Sequence, residues 1–535
     1  MKQNRWKRLV SLSVVVLFTW GLMMPMPASA DPVGTLVSLK TAVVPLPPNL
    51  NEFVINTQAA IQLGKAFFWD MQTGSDGKVA CATCHFQAGA DIRATNTVHP
   101  GVNNIFNTVF PGGTLTAANF PISKNDIVGS QGVLKMDFLA LSGSAKEHGI
   151  AVFDPVFNAG GKNRRQVTGR NAPSVINAIF NFRSFWDGRA SNIYNGVNPS
   201  GNPATVLQVN NGVVTETSIR LENASLASQA TGPPLNDVEM SWSGKSFPEL
   251  GRKLLRLQPL AQQLVHPADS SLGVLSASPA NGLNTNYKAM IKAAFAPRWW
   301  QGGAFRDANG FKVIERNFSM FWGISLMLYQ STLVSDNSPV DRFLLPGGSP
   351  ENLTPQQIVG LNVFTGEGRC DKCHMGAEMT NATVFNVAAE GGDELEGFDN
   401  IGVRPAHNDG GDVLQPGLGR FKTPGLRNVE LNGPYFHNGG MATLHQVVQF
   451  YNRGGDFQDD ISDSDIRPLG MDQATVNFVV NFLVGLTDNR VRRAKAPFDH
   501  PSLVIPNGPS LPAVGAGGRG ANPMIPFLGL PPTRP

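Results

Sequence analysis

Two short runs, "VACATCHFQAG" at Val79–Gly89 and "RCDKCHMG" at Arg369–Gly376, constrain this chain more than any other feature, because between them they hold all four of its cysteines. Each contains C-x-x-C-H, the arrangement in which two thiols form thioethers with the vinyl groups of a haem and the adjacent imidazole ligates its iron. Zinc would need two further ligands per site, and neither run has a C-x-x-C or H-x(3–5)-H partner at conventional spacing. A thioredoxin-like dithiol needs no trailing histidine and would seldom occur twice. The runs therefore read as attachment points for two c-type haems, through Cys81 and Cys84 and through Cys370 and Cys373, with His85 and His374 as proximal iron ligands.

The N-terminus agrees with the compartment in which such haems are attached. Lys2, Arg5, Lys7 and Arg8 precede an apolar run, Leu9 to Met24, and "PMPASA" ends in small residues, which reads as a secretory signal (residues 1–30) cleaved after Ala30. A periplasmic location follows as the expectation. Loss of those four cations takes the formal net charge from +3 to −1, so the mature chain has no basic footprint for nucleic acid. No later segment is long and apolar enough to span a bilayer.

The mature length exceeds what one core usually serves. Both haem runs are preceded by an apolar-periodic segment and a Gly-rich turn, "AAIQLGKAFFWDMQTGSDGK" and "LTPQQIVGLNVFTGEGR". In the second, Thr354 is expected to cap, Pro355 to take the first helical position and Gln357 to complete a capping box. The expected fold is mainly α: two cytochrome c-like haem domains built on a duplicated helix–turn–CxxCH unit, with long irregular loops and insertions. We place the N-terminal haem domain at residues 31–335, the C-terminal one at 336–495, and a Pro/Gly-rich tail, extended or disordered and able to wrap, at 496–535. Helices are also expected at Lys245–Leu264, Tyr287–Phe295, Phe318–Val334, Thr443–Tyr451 and Gln473–Leu486, and irregular Gly/Asn/Pro-rich stretches at Ala94–Gln131, Ile193–Val214 and Glu390–Gly417.

Three further blocks lie outside the haem runs: "GRNAPSVINAIFNFRSFWDGRA" from Gly169, "ASQATGPPLNDVEMSW" from Ala227 and "RFKTPGLRNVELNGPYFHNGGMATLHQVVQFYNRGG" from Arg420. In order and spacing, these blocks and both haem motifs resemble the bacterial dihaem cytochrome c peroxidase family, which includes the MauG-type enzymes. The resemblance covers most of Asn56–Leu486. The chain departs from it in size, with apparent insertions around Ala94–Asp126, Ile193–Leu221 and Pro259–Ala308, and in the tail.

The resemblance implies that the N-terminal haem reacts with hydrogen peroxide and that Gln229 and Glu239 line its open face. A carboxylate near the iron suits the proton relay that O–O cleavage needs, and an amide holds peroxide without titrating. A solvent-facing polar pair is the bland alternative. Trp186 matches a tryptophan between the haems, the alternative being a core tryptophan anchoring a turn. Asn171, with carbonyls near Asn432 and Pro434, matches a calcium site of oxygen ligands. Tyr451 stands fourteen residues after His437, where the family's peroxidases carry a Met ligand and its MauG-type members a Tyr. A phenolate there favours ferric and higher-valent iron, and Met441 is the alternative ligand. The family's removable distal histidine falls at Asn163, so an open iron is expected. His99 and His148 would be candidates only if an insertion shifts the loop, and both read rather as surface or loop histidines. His266, His407, His445 and His500 have no assigned role. The implied partners are hydrogen peroxide with a small redox protein, a cytochrome or cupredoxin, or else a protein or organic substrate oxidised in MauG fashion. A non-catalytic electron-transfer cytochrome is the reading from a different class.

Overall fold

The computed structural model describes residues 36–535 apart from 123, 124, 410 and 415. The signal sequence expected at residues 1–30 lies outside them. Helix Thr57–Trp69 starts where the Asn56 side chain accepts from the Ala59 N–H, and it buries Leu63, Ala66, Phe67 and Phe68. It packs along Phe318–Gln330, a helix buried on every side. The crossing is so close that a Cβ on Gly64 would sit 1.9 Å from the Ser325 carbonyl oxygen. The second half repeats the device. Helix Pro355–Thr365 begins with the expected box, Thr354 Oγ1 accepting from the Gln357 N–H and Gln357 Oε1 from the Thr354 N–H. It packs on Gln473–Val484, with Gly360 placed so that a Cβ would lie 1.9 Å from the Phe478 carbonyl oxygen. In both halves the helix that delivers the haem turn is thus pressed backbone-to-backbone on a partner through one glycine, and even alanine would force the helices apart.

Two apolar clusters follow from these pairs. One joins residues from Leu39 to Leu333 with Ala377, Leu431 and Val491–Met524; the other joins Leu36 with residues from Val340 to Leu486. Helices Tyr287–Ala294 and Leu444–Asn452 fall where expected. The one expected at Lys245–Leu264 is much shorter, Phe247–Leu254. Beyond it Pro259 cannot continue the ladder, and Gln263 turns inward to serve the backbone of Trp69 and Met71 instead. Within Ile193–Val214, read as irregular, strand Val206–Asn210 pairs with Val213–Thr217 across Asn211–Gly212, both at positive φ, the turn chemistry that suits a two-residue hairpin. A further hairpin, Met136–Ala140 with His148–Ala151, lays Met136 and Phe138 against a small apolar cluster of Val79, Val133, Met240 and Trp242. Each sheet among the described residues is a two-stranded antiparallel pair, and much of the remaining chain is irregular.

The segment 496–535 is ordered and lies along the molecule. Asp499 meets Lys65, the Asn507 amide donates to Gln131, Phe527 packs edge-on against Phe120, and the Arg534 carbonyl accepts from Thr443. No helix among the described residues is long and apolar enough to cross a membrane.

Candidate active site

Cys81–Thr83 forms a single 3-10 turn, fixed where Thr83 Oγ1 accepts from the Ala80 N–H. His85 follows, its Nδ1 2.8 Å from the Gly89 carbonyl oxygen. A carbonyl accepts only, so Nδ1 carries the proton and Nε2 keeps its lone pair, the tautomer a metal needs. His374 repeats this with Nδ1 3.2 Å from the Met379 carbonyl oxygen. Burial pushes the thiols of Cys81 and Cys84 up to about 12 and about 11, and that of Cys370 to about 12. A dithiol tuned for redox exchange has its thiolate favoured; here the neutral form is favoured, as suits a sulfur that ends as a thioether.

Beside the first turn opens a cavity of about 580 Å³, lined by Cys84, His85, Gln229, Glu239 and Trp186, and also by Asn171, Asn432 and Pro434. Residues spread over more than 350 positions of sequence are thereby brought to one space. Gln229 comes from the short helix Ser225–Ala230, and Glu239 from the turn that Asn236 organises by accepting from the Val238 and Glu239 N–H groups. Burial raises the Glu239 carboxyl above its ordinary range, and the Arg189 guanidinium partly offsets this. Arg189 is itself held by Asp187 and lies 3.7 Å over the Phe185 ring. Trp186 donates from Nε1 to the Asn171 carbonyl oxygen at 2.8 Å and meets His437 edge-on. His437 in turn contacts Asp409 at 2.6 Å and stacks on Phe421. Asn171 is fixed by Val128 and His437 backbone, and Asn432 Oδ1 is buried without a hydrogen-bond partner.

Cys370, Cys373, His374 and Tyr451 stand apart from that cavity. Tyr451 lies in helix Leu444–Asn452, near Cys373 and Cys370, and burial raises its phenol above the ordinary range. Met441 is buried in the same apolar cluster, its backbone paired with Tyr435.

The distal side of the first turn differs from the sequence expectation at one point. His99, read as a surface or loop histidine, lines the cavity with His85. Strand Val98–His99 pairs with Ile127–Val128 and carries the side chain inward, a placement that a loop-like Gly/Asn/Pro-rich stretch conceals. His148 is exposed on its hairpin, and Asn163 is committed to the Asp154 and Val152 backbone. Sequence reasoning also missed Arg189, Arg170, Lys422 and the His437–Asp409 pair. The "FWDGRA" block carries the only advance signal, placing Arg189 three residues after Trp186.

The residues present fit a covalently held haem: neutral thiols, an imidazole with Nε2 spare, an adjoining cavity, and the cationic Arg170 and Lys422 on its wall to meet the carboxylates a porphyrin carries. Burial pulls Lys422 down to about 8, the behaviour of an ammonium waiting for an anionic neighbour. Two such turns in one chain define a two-centre c-type haem protein. The profile of the di-haem cytochrome c peroxidase family matches residues 58–347, more than half of the chain, and the chain belongs to that family. It is 34% identical over 206 residues to cytochrome-c peroxidase IdrP2 of Denitromonas iodatirespirans, covering 35% of this chain and 52% of that protein. It is 26% identical over 309 residues to cytochrome c peroxidase Ccp of Escherichia coli strain K12, covering 55% and 45%, and 29% identical over 163 residues to the methylamine utilization protein MauG of Methylorubrum extorquens, covering 30% and 42%. The matches thus span about half the length of these curated relatives. Among solved structures, the diheme peroxidase BthA from Burkholderia thailandensis aligns at a TM-score of 0.46 and 20% identity, covering 88% of this chain and 94% of that one.

Since the four cysteines equal the demand of two haems, denatured protein from a maturation-competent host should retain two haems in a pyridine haemochrome assay. Cys84→Ala and Cys373→Ala should each disturb one. Bound zinc without any haemochrome would sink the assignment.

Proposed function

We propose that this protein is an exported, periplasmic oxidoreductase that reduces hydrogen peroxide at the centre held by Cys81, Cys84 and His85 and exchanges electrons through the centre held by Cys370, Cys373 and His374. The first centre belongs to residues 31–335 and the second to 336–495, with 496–535 strapped over them. The observation that carries this is the convergence of Glu239, Gln229 and Trp186 on the cavity beside His85. A haem bound at each turn supplies an iron that passes electrons to a bound oxidant and takes them back from a donor. The chain supplies the rest. The Glu239 carboxyl, raised by burial, takes and returns a proton at the cavity wall. The Gln229 amide orients peroxide by hydrogen bonds without titrating. Trp186 offers an indole on the route between the centres, its N–H held by a neutral carbonyl. Asn171, the unpartnered Oδ1 of Asn432 and the Pro434 region offer oxygen donors to a calcium ion. A non-catalytic cytochrome would have little use for a buried, titratable carboxyl facing an open space.

A small redox protein, cytochrome or cupredoxin, suits the second centre as donor. The placement of Tyr451 beside Cys370 and Cys373 favours a second reading of the same machinery, MauG-like oxidation of a protein or organic substrate. Tyr451 as ligand makes the second centre a poor store of reducing electrons. The as-isolated diferric protein should then react with peroxide in stopped flow without prior one-electron reduction, and show no Met-to-iron absorption. Tyr451→Met should raise that centre's potential and speed turnover with a reduced cytochrome. A wild type that shows the Met-to-iron band, loses it in Met441→Ala and is spectrally unaffected by Tyr451→Phe would assign the ligand to Met441 and place the protein with ordinary peroxidases.

A further inference from the structure

From His85, aromatic rings follow one another into the core. Phe68 lies 6.3 Å from the His85 ring, 5.9 Å from Trp69 and 5.4 Å from Tyr329, centroid to centroid. The Trp69 indole donates from Nε1 to the Tyr329 hydroxyl oxygen at 3.0 Å, and its face stacks on His500 at 4.8 Å and 12°. Phe68, Trp69, Tyr329 and His500 are all buried. One helical turn before Trp69, Lys65 is gripped by two carboxylates, Asp269 at 2.8 Å and Asp499 at 3.3 Å. Both are near enough to add to the rise that burial imposes on the Tyr329 phenol, so negative charge is felt at the atom that accepts the indole N–H. The cation on the far side, Arg519, sits 3.1 Å from His500 Nε2, and burial and that guanidinium together hold the imidazole neutral, its pKa pulled down to about 3. The stacking partner of Trp69 is therefore uncharged, with the Arg519 guanidinium beyond it. On the N–H edge two carboxylates face one ammonium, and there their negative charge and the Tyr329 oxygen favour an indole that becomes positive.

We propose that Trp69 is a redox-active residue that stores one oxidising equivalent beside the first haem centre as an indole cation radical. This rests on the reading of the protein as a haem oxidoreductase. Reduction of hydrogen peroxide to two waters consumes two electrons and two protons. One electron leaves the Trp69 ring, and the indole keeps its N–H because the neutral phenol oxygen it faces is too weak a base to take the proton. The other electron comes from the reducing partner, and both protons come from solvent. The segment 496–535, into which the ring series runs at His500, contains no Tyr or Trp to carry the equivalent onward in that direction. Trp69 thus serves as a reservoir.

The test uses the diferric holoprotein and does not depend on peroxide turnover. Flash-quench oxidation with a photogenerated ruthenium(III) oxidant, followed by freeze-trapping and electron paramagnetic resonance, should give an indole radical whose hyperfine pattern narrows in protein made with ring-deuterated tryptophan. Trp69→Phe, with both haems still attached, should diminish that signal. An undiminished signal in Trp69→Phe, or none in the wild type, overturns the proposal. Tyr329→Phe removes a single oxygen and serves if Trp69→Phe loses haem; it should lower the yield and shift the hyperfine pattern, and an unaltered spectrum would count equally against the idea. Peroxide is the second arm. Its failure to react, with the flash-induced Trp69 signal intact, removes the proposed peroxide chemistry and leaves the reservoir standing.

Discussion

Glu239→Gln should slow peroxide O–O cleavage by a factor on the order of 10² to 10⁴ while leaving both haems attached. The substitution keeps the side chain's size and its hydrogen-bonding reach and deletes only the ability to take a proton. Because burial raises this carboxyl, with Arg189 opposing, it becomes charged at a higher pH than an ordinary glutamate. A rate that needs the charged form should therefore climb through an acid limb lying above the usual glutamate range, and the Gln variant should have lost that limb. The same shift predicts the stability effect. In the interval between the ordinary pKa and the raised one the folded chain binds more protons than the unfolded, so this group's contribution to stability falls as pH rises. Glu239→Gln should accordingly be at least as stable as the wild type at neutral pH, which separates a catalytic loss from an unfolded protein. Unchanged peroxide kinetics would place the proton relay on another group, His99 also lining the cavity.

Glu147→Ala should destabilise the holoprotein by about 3–5 kcal/mol, read as a lower urea midpoint. Glu147 Oε1 accepts from Lys245 and Lys253, each at 2.7 Å, and all three side chains are cut off from solvent. Lys253 also donates to the Gly74 carbonyl and Lys245 to Ser75, so one carboxylate ties the Met136–Ala151 hairpin to helix Phe247–Leu254 and to the turn that leads into Cys81. Burial works to raise Glu147, and the two ammoniums outweigh it and hold it below its usual range. Deleting it leaves two buried cations facing each other. Lys253 is already pulled down to about 8, by burial and then by Lys245. Between about 8 and the ordinary lysine value of 10.5 the unfolded chain binds the extra proton, so this group makes stability rise with pH across that window. Without Glu147 that proton is held more weakly still, so the deficit of Glu147→Ala should shrink as pH rises towards about 8, above which both chains gain alike. A second substitution, Lys245→Met, should recover part of it. A midpoint that does not move would show that water reaches the cluster.

What was legible in advance was legible because it is local. The thiol–thiol–imidazole spacing of each haem turn, the Thr354–Pro355–Gln357 helix start and the periodicity around Phe318 depend on neighbours within a few residues. Glu239, Gln229 and Trp186 do not: nothing in their own surroundings marks them, and they were reached through the resemblance of whole blocks. His99 was misread because a two-residue strand inside a loop-like stretch decides where it points. The Glu147 clamp draws its members from positions about a hundred residues apart, and a sequence shows three charged residues without showing that they share one buried space. Residues 496–535 looked fit for disorder by composition, yet Asp499, Phe527 and the Arg534 carbonyl each have a partner that only the folded body provides.

That strap also sets a clock. The Pro506 carbonyl that holds Arg93 and the Asn507 amide that holds Gln131 lie 413 and 376 positions beyond their partners. Arg93 itself touches Cys84. At roughly 5–20 residues per second of synthesis, a chain that has just displayed its first pair of thiols waits about twenty seconds to more than a minute for the segment that closes over them. For that interval the turn is open on one side, and whatever must reach the sulfurs from there has its easiest access before the chain is finished.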